Sequence, residues 1–201
     1  MKRLILLSLF VLGAGMNARA EEARFDGPQR PEKWGVNFGH WEPEEGVLVC
    51  RQLEKDNHAA ASRWQIPLTD AVISCRVKFE GASFFHIGFD PAPKTLDKKG
   101  HLYSLVLTPT GATIKKHRDK ADEKSQDATL ATVKFAKPLT DWQEIQLKLD
   151  GNSVQVLIET PNGKHTMTAT DDTFGVKKPA VVFRVGGGDL KLDDVQIDVK
   201  R

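Results

Sequence analysis

Apolar and polar residues alternate with a period of two through most of this chain. The clearest cases are residues 73–79 and 145–149, where every odd position is apolar and every even one is polar. This is the period of a strand that buries one face. The chain is predicted to contain about a dozen strands, and no segment after residue 20 has a sustained helical period. Further predicted strands are 84–89, 102–108, 113–117, 129–135, 153–159, 165–169, 180–185 and 190–199.

Short turn sequences separate these strands. Asp150-Gly151-Asn152 and Pro161-Asn162-Gly163 each lie between two alternating runs, so residues 142–169 are predicted to form a three-stranded meander. Glu80-Gly81 is predicted to be a turn, and Gly186-Gly187-Gly188 a flexible connection between strands. Many short strands, tight turns and no helices favour an all-β fold, a two-sheet antiparallel sandwich of the jelly-roll type.

The first 20 residues have the features of a secretory signal peptide. Lys2 and Arg3 precede an apolar run, and Ala18-Arg19-Ala20 is a small-x-small cleavage site. The run is too short to span a bilayer, so we expect no membrane insertion of the mature chain. Residues 21–201 are predicted to form a single domain, exported to the periplasm or the exterior of a bacterium.

The charge balance argues against nucleic acid as a partner. Lys2, Arg3 and Arg19 are three of the 29 basic residues, whereas all 27 acidic residues follow residue 20. The remainder is close to neutral and its charges are interspersed, unlike a nucleic-acid-binding surface. The sequence predicts no oligomeric state.

Cys50 and Cys75 are the only cysteines. An exported location permits a disulfide between them, but both lie in apolar strand-like runs, so two buried thiols are the alternative. The sequence does not show whether their Cα atoms lie within the limit of about 7 Å, and both alternatives stay open.

Several motifs resemble one family of sandwich domains. The segment 34–48, with two tryptophans and three glycines, resembles the opening of bacterial concanavalin A-like domains. The segments 67–70, 141–151 and 192–197 extend this resemblance over most of the chain. Together they are similar to the 3-keto-disaccharide hydrolase-like and laminin G-like branches of the concanavalin A-like lectin/glucanase superfamily. The resemblance implies a β-sandwich whose partner is an oligo- or polysaccharide.

The motifs for glycoside hydrolysis are missing from the sequence. The reaction generally requires two carboxylates about 5 to 9 Å apart. The Glu-x-Asp-x-(x)-Glu arrangement of the superfamily's retaining hydrolases does not occur, and the adjacent Asp193 and Asp194 are expected to point to opposite faces. In the 3-keto-disaccharide branch, one motif ends in an arginine and a second contains an acidic residue. The corresponding residues 83–88 here contain no arginine, and residues 100–104 contain no acid.

We therefore predict a non-catalytic or weakly catalytic domain that binds carbohydrate on its concave sheet face. One alternative is a glycoside hydrolase of the 3-keto-disaccharide hydrolase-like type, with acids brought together by the fold. Another is a structural or protein-interaction module of the cell envelope.

Four residues are candidates for carbohydrate binding. His86 is expected to project opposite to its apolar neighbours, and Arg76 to share its face if their strands lie side by side. Trp64 and Tyr103 are candidate stacking platforms, because an aromatic face can cover the C–H face of a sugar ring. The other tryptophans are expected in the core: Trp34, Trp41 and Trp142.

No cofactor is expected. The six histidines lack the close spacing of a zinc site. Asp90, Asp97 and Asp189 are loop carboxylates with the chemistry to bind calcium, but no calcium-loop signature accompanies them.

Overall fold

The computed structural model describes residues 19–200, which form an almost entirely β structure. Within this range, thirteen strands pair antiparallel throughout, which confirms the predicted all-β sandwich. The strands are β1 (Arg19–Ala23), β2 (Trp34–Phe38), β3 (His40–Glu44), β4 (Val47–Arg51), β5 (Ala60–Trp64), β6 (Ala71–Phe89), β7 (Tyr103–Thr108), β8 (Gly111–Lys116), β9 (Ala128–Lys134), β10 (Gln143–Asp150), β11 (Ser153–Thr160), β12 (Gly163–Thr170) and β13 (Val181–Val199). One short 3-10 helix, Glu54–Asp56, lies between β4 and β5.

Two long strands, β6 and β13, run through both sheets of the sandwich. Their paired halves at 84–89 and 182–186 join β7, β8 and β9 on one side and β5 and β2 on the other, forming the front sheet. The other halves, 71–79 and 190–199, join β10, β11 and β12 on one side and β1, β4 and β3 on the other, forming the back sheet. Strands β10 to β12 form the predicted meander.

Glycines let the two long strands bend together at the corner between the sheets. The pairing register shifts between Gly186 and Gly187 and again between Gly187 and Asp189. Gly81 and Gly187 have positive φ angles of 104° and 86°. Residues other than glycine rarely adopt such angles, because their Cβ atom clashes with the backbone. The predicted turn and flexible connection are therefore wrong: both glycine segments lie inside continuous, bulged strands.

Replacing Gly188 with alanine is expected to destabilise the fold by about 2 kcal/mol. A Cβ at Gly188 would lie 2.6 Å from the carbonyl carbon of Gly81, so the two strands would have to separate. Urea unfolding measures the loss. Gly27→Ala is the matched control, because a Cβ there has no atom within 4 Å. Equal stability of the two variants would contradict this account of the corner.

The space between the sheets is filled by aromatic and aliphatic side chains. The Trp34 ring stacks on Phe183 with centroids 5.1 Å apart and planes 6° apart, and it packs against Trp64 at 5.5 Å. Trp41 is completely buried. The prediction that Trp34 and Trp41 lie in the core is confirmed, whereas Trp142 is half-buried beneath a guanidinium group.

The predicted signal peptide lies largely outside the described residues. Its predicted cleavage position, after Ala20, falls within β1, which pairs with residues 195–199 of β13. Cleavage there would leave Glu21–Ala23 to keep this pairing. Among residues 19–200, no helix is long and apolar enough to cross a membrane.

Candidate functional site

The outer surface of the front sheet, called the front face below, carries a row of directly opposed residues from neighbouring strands. Phe38 on β2 is opposite Ala61 on β5, which is opposite Arg184 on β13, which is opposite His86 on β6. Directly opposed residues share a face of the sheet. The row continues through Val106 on β7 and Thr113 on β8.

Phe38 is the exposed aromatic residue of this row. Its side chain is 41% exposed, and its ring stacks on the His58 imidazole with centroids 4.3 Å apart. A register shift between Val36 and Phe38 sets its orientation. The next residue, Gly39, has a φ of 82°, and its N–H donates to the Asp56 carboxylate at 2.6 Å. The chain is therefore held closely at Gly39, directly after the ring.

A chain of charged and polar groups lies in the adjacent part of the front face. Arg63 donates from Nη1 to Asn37 at 2.7 Å and from Nη2 to Asp90 at 3.1 Å. The other oxygen of Asp90 accepts from Nδ1 of His101 at 2.5 Å. Burial opposes ionisation of Asp90, but the hydrogen bonds from His101 and Arg63 outweigh it and lower the pKa of this carboxyl.

His117 extends this polar chain toward β8. Its ring meets that of His101 edge to face, with centroids 5.6 Å apart, and its Nε2 is hydrogen bonded to the Ser104 hydroxyl. The Asp127 carboxylate lies 4.0 Å from Nδ1 of His117. It also forms an ion pair with the Lys115 ammonium group at 2.8 Å. Burial, followed by the charge of His101, lowers the pKa of His117 to about 4.

Arg184 and His86 lie side by side in the middle of the row. Burial, followed by the charge of Arg184, lowers the pKa of His86 to about 3, so its ring is neutral at pH 7. Burial and the charge of Arg63 also lower the pKa of Arg184. Among the described residues, the Arg184 side chain forms no hydrogen bond or ion pair, and its Nε atom is buried.

The structure places the sequence-predicted residues in three different environments. His86 projects from the front face, opposite to the buried Phe85 and Ile87, as its alternation predicts. Arg76 lies on the back sheet, where it forms ion pairs with Asp193 at 2.6 Å and Asp194 at 2.7 Å. The expectation that it shares a face with His86 is wrong, because the corner of β6 separates them.

The carboxylates that contact Arg76 are adjacent in sequence, yet they do not point to opposite faces. Asp194 has a φ of 48°, and the register shifts between Asp193 and Gln196. This bulge brings both carboxylates to one guanidinium group. Arg76 also stacks over the Trp142 ring, 5.0 Å from its centroid.

Trp64 and Tyr103 are core residues rather than exposed platforms. Trp64 is 2% exposed, and its indole N–H donates to the Glu32 carbonyl. Tyr103 is 1% exposed and packs on Phe174 with ring centroids 4.2 Å apart. A side chain buried to this extent offers no ring face to a ligand, so the prediction of these two platforms does not hold in this structure.

Cys50 and Cys75 are both buried and both are free thiols. Strand β13 lies between the β4 and β6 strands that carry them. Neighbouring strands are about 4.8 Å apart, so the two cysteines are too far apart for a disulfide. Burial raises the pKa of the Cys75 thiol to about 12.

Two of the three carboxylates considered for calcium, Asp90 and Asp189, have other partners in this structure; Asp97 has none in the part of the chain that the structure describes. Asp90 is engaged by Arg63 and His101, and Asp189 forms an ion pair with Arg51 at 3.2 Å. Among residues 19–200, no group of three or more His, Cys, Asp or Glu side chains is arranged to hold a metal ion.

Most of the front face was not predictable from the sequence. Phe38, Arg63, His101 and Arg184 were not predicted as site residues, and Asp90 was considered only for calcium. The one usable signal was alternation, since Arg184 is polar between the apolar residues 183 and 185. The other groups come together only through strand pairing.

Comparison with known proteins shows the fold. No protein-family model matches the chain, and no curated protein matches it. Arcelin-5, a lectin-like defense protein from Phaseolus vulgaris, superposes with a TM-score of 0.61 and 10% identity, covering 92% of this chain and 98% of that chain. Carbohydrate-binding module CBM66 from Bacillus subtilis gives 0.62 and 12%, covering 83% and 95%.

Other solved structures are similar to the same degree. A LamA variant from Z. galactanivorans in complex with laminaritriose and laminaritetraose has a TM-score of 0.61 and 11% identity, with 92% of this chain and all of that chain covered (100%). The class of fold is therefore the concanavalin A-like jelly roll, shared with lectins and family GH16 glucanases. At these identities the likeness concerns the fold.

Proposed function

We propose that this protein is an exported carbohydrate-binding domain that holds a saccharide on its front face. The observation that carries this proposal is the row in which the 41% exposed Phe38 is aligned with Arg184 and His86. An aromatic ring covers the C–H face of a sugar while polar groups bond its hydroxyls at the edge. Similarity to a carbohydrate-binding module and to a lectin complexed with galactose supports this ligand class.

The polar chain beside the row supplies both kinds of hydrogen-bonding group that hydroxyls require. The Arg63 guanidinium is a donor and the Asp90 carboxylate an acceptor, and each fixes the other at 3.1 Å. His101 anchors the second oxygen of Asp90. Such mutual support reduces the side-chain entropy lost when a ligand binds.

The electrostatics favour binding over hydrolysis. A glycosidase needs a general acid that is protonated at working pH, usually through a raised pKa. Hydrogen bonds from His101 and Arg63 outweigh burial to lower the pKa of Asp90, and the Lys115 hydrogen bond lowers that of Asp127 to about 2. The front-face carboxylates are therefore ionised at neutral pH, which supports a binding role.

The proposals on export and domain organisation rest on the signal-peptide pattern of the first 20 residues and on the length of the remaining chain. We propose that residues 1–20 are removed as a signal peptide and that residues 21–201 act as one domain in the periplasm or outside a bacterial cell. Edman sequencing of protein recovered from the periplasm or culture medium would then begin at Glu21. Recovery of the uncleaved chain from the cytoplasm would overturn this part.

Replacing Phe38 with alanine is expected to weaken saccharide binding about tenfold, because the stacking surface is lost. A glycan array identifies the ligand, and titration calorimetry measures its affinity. Val36→Ala is the matched control: Val36 is 39% exposed on the same strand but is opposite the buried Ser62, so its loss leaves binding unchanged. Equal affinity of the Phe38 variant and the unmodified protein would exclude the front face as the site.

Two further outcomes would identify the alternatives. Release of reducing sugar from a bound glycan would support the 3-keto-disaccharide hydrolase-like alternative. Silence across neutral and anionic glycans, together with specific recovery of envelope proteins in pull-downs, would support the protein-interaction module and overturn our proposal.

A further inference from the structure

Arg184 stands out because its charge has no counter-ion. Its side chain is half-buried, its Nε atom is buried without a hydrogen-bond partner, and among the described residues no carboxylate forms an ion pair with it. Withdrawing a guanidinium from water without a partner is costly. A ligand that brings an anionic group would remove this cost.

The groups around Arg184 do not neutralise it. Asp90 is the acid whose charge reaches Arg184, but its two oxygens are already paired with Arg63 and His101. His86, directly opposite, has its pKa lowered to about 3 and is neutral at pH 7. The centre of the row therefore has one uncompensated positive charge.

The spacing of the row suits one charged sugar ring. Ala61, a buried residue with a small side chain, lies between Phe38 and Arg184. Strands are about 4.8 Å apart, which places the Cα atoms of Phe38 and Arg184 roughly 10 Å apart. A pyranose ring that stacks on Phe38 can thus extend an acidic substituent toward Arg184.

We propose that the front face selects acidic saccharides, with Arg184 binding the carboxylate of a uronic acid or a sulfate ester. The inference rests on the proposed carbohydrate-binding function and specifies its ligand class. The planar guanidinium fork matches the oxygens of either group, and such charge-assisted hydrogen bonds are stronger than neutral ones. His86 lies beside the anion as a further hydrogen-bonding group.

The test compares polymers that differ only in charge. Polygalacturonate is compared with its fully methyl-esterified form, and a sulfated galactan with its desulfated form, by calorimetry at pH 7. We expect at least one charged member to bind about tenfold tighter than its neutral counterpart. A preference within the first pair identifies a carboxylate ligand, and one within the second pair a sulfate ester.

Variants assign the preference to one residue. Arg184→Met is expected to abolish it, whereas Arg184→Lys retains part of it because the charge remains. Arg51→Met is the matched control, because Arg51 pairs with Asp189 on the back-sheet part of β13, and it should retain the full preference. Far-ultraviolet circular dichroism verifies that each variant is folded.

The possible failures are distinguishable. If each neutral polymer binds as tightly as its charged form, or if Arg184→Met retains the preference, this inference is overturned. In that case a saccharide affinity that Phe38→Ala weakens would still support the proposed function. If no saccharide binds at all, both the inference and the proposed function fail.

Discussion

Lys178→Met is expected to lower the free energy of unfolding by about 3 kcal/mol at pH 7. Lys178 is fully buried, and its ammonium group donates to three backbone carbonyls: Phe174 at 2.6 Å, Val176 at 2.8 Å and Thr69 at 3.1 Å. Burial lowers its pKa to about 8, so it remains mainly protonated at pH 7. Methionine has a similar length and removes all three donors, which leaves buried acceptors unpaired.

Thermal and urea unfolding, followed by circular dichroism, measure this effect. For a chain of this size the loss corresponds to a fall in Tm of about 10 °C. Lys164→Met is the matched control, because Lys164 is 64% exposed and pairs only with Glu159; we expect a change within about 0.5 kcal/mol. If Lys178→Met were as stable as the control, the buried ammonium group would not be the element that holds these loops together.

Acidification is expected to cost about 3 kcal/mol of stability between pH 7 and pH 4.5, through His86 and His117. Burial lowers the pKa of these rings to about 3 and about 4, from an ordinary value of 6.5. The unfolded chain therefore takes up protons below pH 6.5, whereas the folded chain stays neutral until much lower pH. The stability that the two neutral rings contribute is complete above pH 6.5 and is lost as the pH falls toward 4. The expected loss of about 3 kcal/mol allows for the partial exposure of both rings.

Burial is the main cause of the lowered pKa of both rings, and most of the charged groups that face them act in the same direction. Arg184, Lys115 and His101 disfavour a further positive charge, and Asp127, whose effect on His117 is the opposite, is outweighed. The pKa of Asp127 itself is lowered to about 2. The stability that its ionised carboxylate contributes to the fold is therefore lost only below about pH 4. The pH range in which the histidines reduce stability is therefore separate from the lower range in which Asp127 does.

Urea midpoints at pH 7 and pH 4.5 measure the histidine contribution. The double variant His86→Gln, His117→Gln retains neutral hydrogen-bonding side chains and should lose most of the pH dependence in this window. An acid-induced loss in the double variant as large as in the unmodified protein would show that other groups cause it.

Alternation predicted the architecture well because burial on one face of a strand is a local pattern. The meander at residues 142–169 and the outward projection of His86 both follow from period two and from short turns. The corner was not predictable in this way. Bending at Gly81 places Arg76 and His86 on different sheets, although the same strand carries both.

Aromatic exposure also depended on distant partners. Trp64 and Tyr103 are covered by Trp34 and Phe174, which lie 30 and 71 positions away in the printed sequence. Phe38 remains exposed, although Trp34 on the same strand is buried. Residue type alone does not distinguish these three aromatic residues.

By itself, the sequence determined that this protein forms antiparallel strands around a two-sheet core, because the alternation of side chains and the turn residues act locally. Only the tertiary structure decided which polar groups meet. Arg63, Asp90, His101 and Arg184 come from four separate segments, and their contacts depend on register across several strands. The uncompensated charge of Arg184 is likewise a property of the assembled sheet, since it depends on the carboxylates nearby being paired already.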